Sequence, residues 1–146
     1  MISLSSSSII TPTISVTIST IAENIDNFIN NFPLASLHDA DEVVIIIQGT
    51  LKNKPKILFN NNYTVIEDHG KGVSHSRNIG VLHAQSDYIW FMDDDILLNH
   101  DAIMTVKNYI SKYNADIFTV RTEGEENGSP YKSYPNRHKL NRRDII

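Results

Sequence analysis

Apolar positions in this chain change period several times, and the changes divide it into strands and helices. TISVTIST, Thr13 to Thr20, is rich in β-branched residues and predicts a strand. AENIDNFINNF follows with Ile21, Ile25, Phe28 and Ile29 at helical spacing, and Pro33 closes that helix. In DEVVIIIQGT, Val43 to Ile47 run without a polar interruption. That pattern suits a strand buried on both faces, as in a parallel sheet covered by helices. Gly49 marks the turn after it. Lys56 to Phe59 reads as a short strand or an irregular link, with a turn in the Asn run at 60–62. YTVIEDHG, Tyr63 to Gly70, predicts a third strand entering a glycine turn. GVSHSRNIGVLHA then predicts a helix, with Ser74 as N-cap and Ile79 and Leu82 on its packing face. QSD turns into a strand from Tyr88 to Met92, which ends in Asp93, Asp94 and Asp95. Asn99 caps a helix from His100 to about Tyr113, with Val106, Tyr109, Ile110 and Tyr113 as its apolar stripe. ADIFTVRTE predicts a last strand, and from Gly124 onward the chain is polar.

Strands that alternate with helices in this way imply an α/β layered domain with a mostly parallel sheet. Residues 1–12 read as a loose leader, 13–123 as the core, and 124–146 as the start of a further, incomplete region. In such sheets ligands sit beyond the carboxyl ends of the strands, at a switch in strand order. Asp93 to Asp95 end an expected central strand at that edge. Thr20, Gln48 to Thr50 and Asp68 to Lys71 end other strands beside it.

Composition narrows the picture a little. With 17 acidic against 13 basic residues, the net charge of −4 argues against a nucleic-acid binder that relies on a broad basic surface. Cysteine is absent, which removes disulfides and thiolate metal sites. The N-terminus lacks the basic start of a secretory signal, and no apolar run approaches the roughly 20 residues of a membrane span.

Three adjacent carboxylates at the end of an apolar strand repel one another and resist desolvation. Hard divalent cations prefer such oxygens, and magnesium is usually held by one or two carboxylates plus substrate phosphates. The triplet therefore reads as half of a metal–phosphate site. It reads equally as a solvated strand end that caps the next turn. DDDILLNHDAI lacks the spaced ligands and glycine of an EF-hand, and no Gly-rich loop ending in Lys-Ser/Thr is present.

The stretch from Lys71 to Ile103 adds context. Gly70 and Gly72, SRNIG (Ser76 to Gly80), QSD (Gln85 to Asp87), YIWFM and DDD follow in an order that resembles the nucleotide-sugar-binding core of glycosyltransferase family 2. ISVTIST and EVVIIIQGT also look like that family's first two strands, so the likeness runs from about Thr13 to Tyr113. The resemblance implies a Rossmann-like GT-A three-layer sandwich with a mostly parallel central sheet. It implies that Asp95 coordinates a Mn2+ or Mg2+ ion bridging the donor diphosphate. Asp93 would contact the donor ribose or sugar, and Asp94 would be less constrained. Arg77 would meet the nucleotide, and Thr20 would lie beneath it. Asn78 is expected to fix the helix turn rather than touch ligand.

The departures from the family pattern matter as well. Where relatives often carry an acid after the second strand to read the base, this chain has QGT, which leaves Gln48 and its amide for that role. His75, in a place usual for small residues, is expected to be an exposed helix residue. His83, His100 and His138 are expected on the surface, and Trp90 in the core. Inverting enzymes of this fold need a general base to deprotonate the acceptor hydroxyl. None of the late acids, Glu123, Glu125, Glu126 and Asp144, sits in a recognisable base motif. The base is expected beyond Ile146, so the chain reads as the donor-binding part of a truncated transferase. The expected activity is metal-dependent, inverting transfer from a nucleotide diphosphate sugar to a glycan or lipid-linked hydroxyl, as in polysaccharide biosynthesis. Uridine is the expected base by family habit. The expected location is the cytoplasm or the inner membrane face. The alternative is a non-catalytic fragment that binds a nucleoside diphosphate.

Overall fold

A computed structural model describes residues 11–59, 61, 63–113 and 115–120. The described residues up to 113 belong to one compact unit, and 115–120 belong to a second. The first unit is built from β1 (Ile14–Ile21), α1 (Ile25–Asn31), β2 (Glu42–Gln48), α2 (Lys56–Phe59), β3 (Tyr63–Asp68), α3 (Val73–His83), β4 (Tyr88–Asp93) and α4 (Ala102–Lys112). Single 3-10 turns at Ala22–Asn24 and Leu34–Leu37 link the first elements. The four strands form one sheet in the order β3-β2-β1-β4, and every pairing is parallel. The α/β layered class expected from the alternating periods is therefore present.

Burial explains why the two central strands look different in sequence yet are equally enclosed. Val43 to Ile47 of β2 are all buried. In β1 the residues alternate between Ile14, Val16 and Ile18 on one face and Ser15, Thr17 and Ser19 on the other. Ser15 and Thr17 are nonetheless as buried as their apolar neighbours. The small face is where α3 packs. A Cβ placed on Gly80 would lie 3.1 Å from the Thr17 Cβ and 3.4 Å from the Ile46 Cδ1. Ser76, one turn earlier on the same helix face, is fully buried. Small residues thus oppose small residues, and the helix sits close to the sheet.

At the amino ends of the strands a polar network fixes the register. Asp87 accepts hydrogen bonds from the Thr13 N–H at 3.0 Å and the Thr13 hydroxyl at 2.8 Å, which together hold its carboxyl below the usual range. Glu42 accepts from the Ser15 hydroxyl and from the Gln85 N–H. The Ser86 N–H donates to the Ser15 hydroxyl oxygen. The QSD turn is therefore a fastener between β4 and the start of β1. Nearby, Lys107 of α4 places its Nζ 2.7 Å from Asp41, which also accepts the Ile14 N–H at 2.8 Å. Burial alone would raise the Asp41 pKa. The Lys107 and Ile14 hydrogen bonds and the Lys107 charge outweigh it, and the net shift is downward.

Several sequence expectations are corrected. Lys56–Phe59 is a short helix, not a strand. In α3 the N-cap is Gly72 rather than Ser74, and the packing face is Ser76 and Gly80 rather than Ile79 and Leu82; Leu82 is 77% exposed. Small residues dominate because the close approach leaves no room for larger ones. The fourth helix starts at Ala102, after Asp101 rather than Asn99, and buries Ile103, Lys107 and Ile110. Tyr109 and Tyr113 stack on each other at 5.8 Å with both rings largely exposed. Among the described residues β4 is an edge strand, not a central one, and Trp90 is only half-buried. Residues 115–120 form no strand. The expected leader lies almost wholly outside the described residues, as do residues 124–146, His138 and the late acids Glu123, Glu125, Glu126 and Asp144.

Two measurements test this packing. Gly80→Ala gains about 1 kcal/mol in helix propensity but crowds Thr17, so it should be near neutral, whereas Gly80→Val should lose at least about 2 kcal/mol in urea unfolding. Ser76→Ala removes a buried hydroxyl that has no partner among the described residues, and should be neutral to about 1 kcal/mol stabilising. For the Asp41 pair, the depressed pKa contributes stability that is full above the unfolded value near pH 4 and is lost as pH falls through the lower folded value. Lys107→Met should cost about 1–2 kcal/mol at pH 7, discounted for the partial solvation of Asp41, and the cost should shrink at pH 3.

Candidate functional site

The strand order places a switch between β4 and β2 on either side of β1, and the crevice beyond the carboxyl ends at such a point is the usual ligand site of a parallel sheet. Here that crevice is an open cleft of about 400 Å³, lined by Ser19, Thr20, Ile21, Asn24, Gln48, Val73, Asp93, Asp94 and Asp95. The register accounts for this gathering. Ser19 of β1 pairs with Asp93 of β4, and Ile21 pairs with Gln48 of β2, so the three strands end within two residues of one another along β1.

The three acids have three different environments. Asp93 forms an ion pair with Arg77 at 3.2 Å, and both side chains are well exposed. Arg77 is set there by α3: its neighbour Ser76 faces the sheet, which turns the guanidinium toward the strand end. Asp94, expected to be the least constrained, is the most firmly held. One of its oxygens accepts the Thr20 hydroxyl at 2.6 Å and the Asn24 amide at 3.3 Å. Asp95 is exposed and has no hydrogen bond or ion pair among the described residues. The repulsion expected between adjacent carboxylates is thus relieved by one cation, two neutral donors and solvent.

The turn before α3 is clamped from two strands. The Gly72 N–H donates to the Gln48 Oε1 at 3.0 Å, and the Gly70 N–H donates to Asp68 at 2.9 Å. Asp68 also meets the His75 Nε2 at 2.8 Å. His75 is therefore partnered, not merely an exposed helix histidine. Its ring lies over Gly70, where any Cβ would collide with it. His100, expected as a surface residue, is exposed and lies against His38 with the rings tilted and their centroids 4.7 Å apart.

Thr20, Gln48, Asp93, Asp94 and Asp95 all line the cleft, and Arg77 reaches it through Asp93. Sequence reasoning missed Ser19, Ile21, Asn24 and Val73. Asn24 lies four residues after Thr20, and only the tight 3-10 turn at Ala22–Asn24 brings it back to the strand end. Among the described residues no group of three acids or histidines could enclose a metal ion unaided. The oxygen donors present, Asp95 and the second oxygen of Asp94, fit a hard cation that takes its remaining ligands from phosphate and water.

The fold has counterparts elsewhere. Residues 8–145 match the family model described as glycosyl transferase family 2. Among solved structures, the crystal structure of S. aureus TarS 1-349 superposes with a TM-score of 0.56 at 18% identity, covering 68% of this chain and 32% of that one. At that identity the likeness concerns the fold, and this chain spans about a third of the length of TarS 1-349. No curated protein matches the chain in sequence.

The clamp on the turn can be checked directly. Gly70→Ala should cost about 1–2 kcal/mol by driving His75 from Asp68. In a His75→Ala background the same change should cost under about 0.5 kcal/mol. A coupling near zero in that double-mutant cycle would contradict the clamp.

Proposed function

The chain belongs to glycosyl transferase family 2, and from that premise we propose that its cleft holds the nucleoside diphosphate of a sugar donor, for transfer to a glycan or lipid-linked hydroxyl. One observation carries the reading. Three acids end a strand at the sheet's switch point, and one of them, Asp95, is free of any described protein partner while its neighbours are held. A clamped Asp94 beside an Asp95 left over gives one fixed and one free carboxylate, and a fixed carboxylate can set where a cation rests.

Within that reading each residue has a physical task. Asp95, with the second oxygen of Asp94, would hold a Mn2+ or Mg2+ ion, which would supply positive charge to offset that building on a diphosphate leaving group. Thr20 and Asn24 act through Asp94 and keep its carboxylate from swinging away. Arg77 is tied to Asp93 by an exposed pair worth little, so its guanidinium can turn to a phosphate at small cost. Asp93, once released, is placed to accept hydroxyls of the ribose or sugar. Inversion at the transferred carbon follows from the family resemblance, as does a base supplied from outside the described residues. No helix among the described residues is long and apolar enough to cross a membrane.

Calorimetric titration of UDP, CDP and GDP, each with Mn2+ and with chelator, tests the proposal. At least one should bind only with metal, and Asp95→Ala should weaken it at least about tenfold, the scale of one lost charged contact. Thr20→Val should weaken it several-fold through Asp94. Metal-independent binding, or binding untouched in Asp95→Ala, would return the acids to the role of a solvated strand end.

A further inference from the structure

The loop after β2 and the short helix α2 carry chemistry that the cleft does not use. No acid occurs between Glu42 and Glu67, and the basic residues of that interval, Lys52, Lys54 and Lys56, stand at alternate positions. Each of them is exposed, in a chain whose net charge is −4. Lys54 places its Nζ 3.2 Å from Glu67 and 5.6 Å from the centre of the Phe59 ring. Lys52 and Lys56 have no ion-pair partner among the described residues.

Apolar side chains face water beside these lysines. Leu58 is fully buried and anchors α2, and its N–H donates to the Pro55 carbonyl at 3.0 Å. The Asn61 amide closes the far end of the turn on the Ile57 carbonyl. With about 100° between successive helical residues, Lys56 lies nearly opposite Leu58, and Ile57 and Phe59 flank it on either side. Ile57 is 46% exposed and Phe59 41%. A single apolar residue on a surface needs no explanation. Here two of them flank an outward lysine on one turn that is tied at both ends.

We propose that this turn docks on an anionic lipid bilayer, with Lys52, Lys54 and Lys56 at phosphate depth and Ile57 and Phe59 entering the headgroup boundary. Charge complementarity names the occupant. Lysine stems are long and apolar, so their ammonium groups stay in the phosphate layer while neighbouring apolar side chains go deeper. A nucleic acid or other soluble polyanion would answer the lysines and leave Ile57 in water. The acids elsewhere on the chain do not cancel the attraction, because exposed charges more than about 8 Å away are largely screened at physiological salt. Each lysine close to an anionic surface is worth about fivefold in partitioning, and Lys54, shared with Glu67, adds least. Among the described residues α2 packs against β3, the outer strand of the sheet, and none of the docking residues lines the cleft. The proposal therefore holds whatever the cleft binds.

The experiment is co-sedimentation of the full chain with vesicles of phosphatidylcholine alone and of phosphatidylcholine mixed equally with phosphatidylglycerol. Wild type should bind the mixed vesicles at least about tenfold more tightly than the neutral ones. Lys52→Glu with Lys56→Glu should weaken that binding at least about twentyfold, and Ile57→Ser with Phe59→Ser at least about fivefold. Urea unfolding of each variant checks that it folds. Equal binding to both vesicles, or binding to neither by folded wild type, overturns the proposal, and this comparison decides even if a variant does not fold. Binding unchanged in the folded lysine variant overturns it too. Loss in the lysine variant with none in the folded serine variant marks a plain polyanion surface and overturns the lipid assignment.

Discussion

The close seat of α3 on the small face of β1 is the constraint on which the rest of the structure depends. Gly80 and Ser76 let the helix approach so closely that a Cβ on Gly80 would crowd Thr17, which would have to give by a few tenths of an ångström. Interiors packed at this density transmit position rather than absorb it. The helix axis is therefore set by contact with the sheet, and everything carried on the helix inherits that placement. Arg77 reaches Asp93 because the residue before it faces the sheet. Val73 reaches the cleft because it opens the same helix. A bulkier face would lift the helix and carry both away from the strand ends.

That seat also explains why the turn ahead of the helix is so heavily tied. A helix fixed at its middle but loose at its start would fray into the cleft. Asp68 and Gln48, at the ends of β3 and β2, each accept one N–H of the Gly70–Gly72 turn. Gly72 takes a φ of 94°, a conformation that a side chain disfavours, and Gly70 leaves the room that His75 needs. The result is a rigid floor on which polar groups can be aimed, a condition for any site that must distinguish one small ligand from another.

The opposite end of the sheet shows the same chemistry without a ligand. Thr13, Ser15, Glu42 and Asp87 form hydroxyl–carboxylate contacts much like that between Thr20 and Asp94. At the amino ends these contacts close the connection between α3 and β4 and satisfy the backbone of the turn. At the carboxyl ends a carboxylate remains over. The difference between a structural fastener and a candidate site lies in that surplus, and not in residue type.

How far the sequence reached can be traced through particular residues. Except at Lys56–Phe59 and 115–120, strand and helix identity followed from period, because side-chain alternation is a local property of the backbone. The unbroken Val43–Ile47 run announced a doubly covered strand, and the acids after Met92 announced the edge where the cleft lies, since a parallel strand's end is legible wherever apolar residues give way to charge. Helix faces were less legible. The expected face of α3 followed its large residues, yet Leu82 points to solvent and Gly80 to the core, because in a tight seat volume decides and not hydropathy. By itself, then, the sequence determined the class of fold, the edge that bears the candidate site and the residue types gathered there. Only tertiary structure decided that β4 lies beside β1 rather than between other described strands, that Asp94 is the anchored acid, and that Gln48 accepts the Gly72 N–H. Those outcomes depend on partners 24 to 74 residues distant along the chain, and no local pattern encodes a distance of that kind.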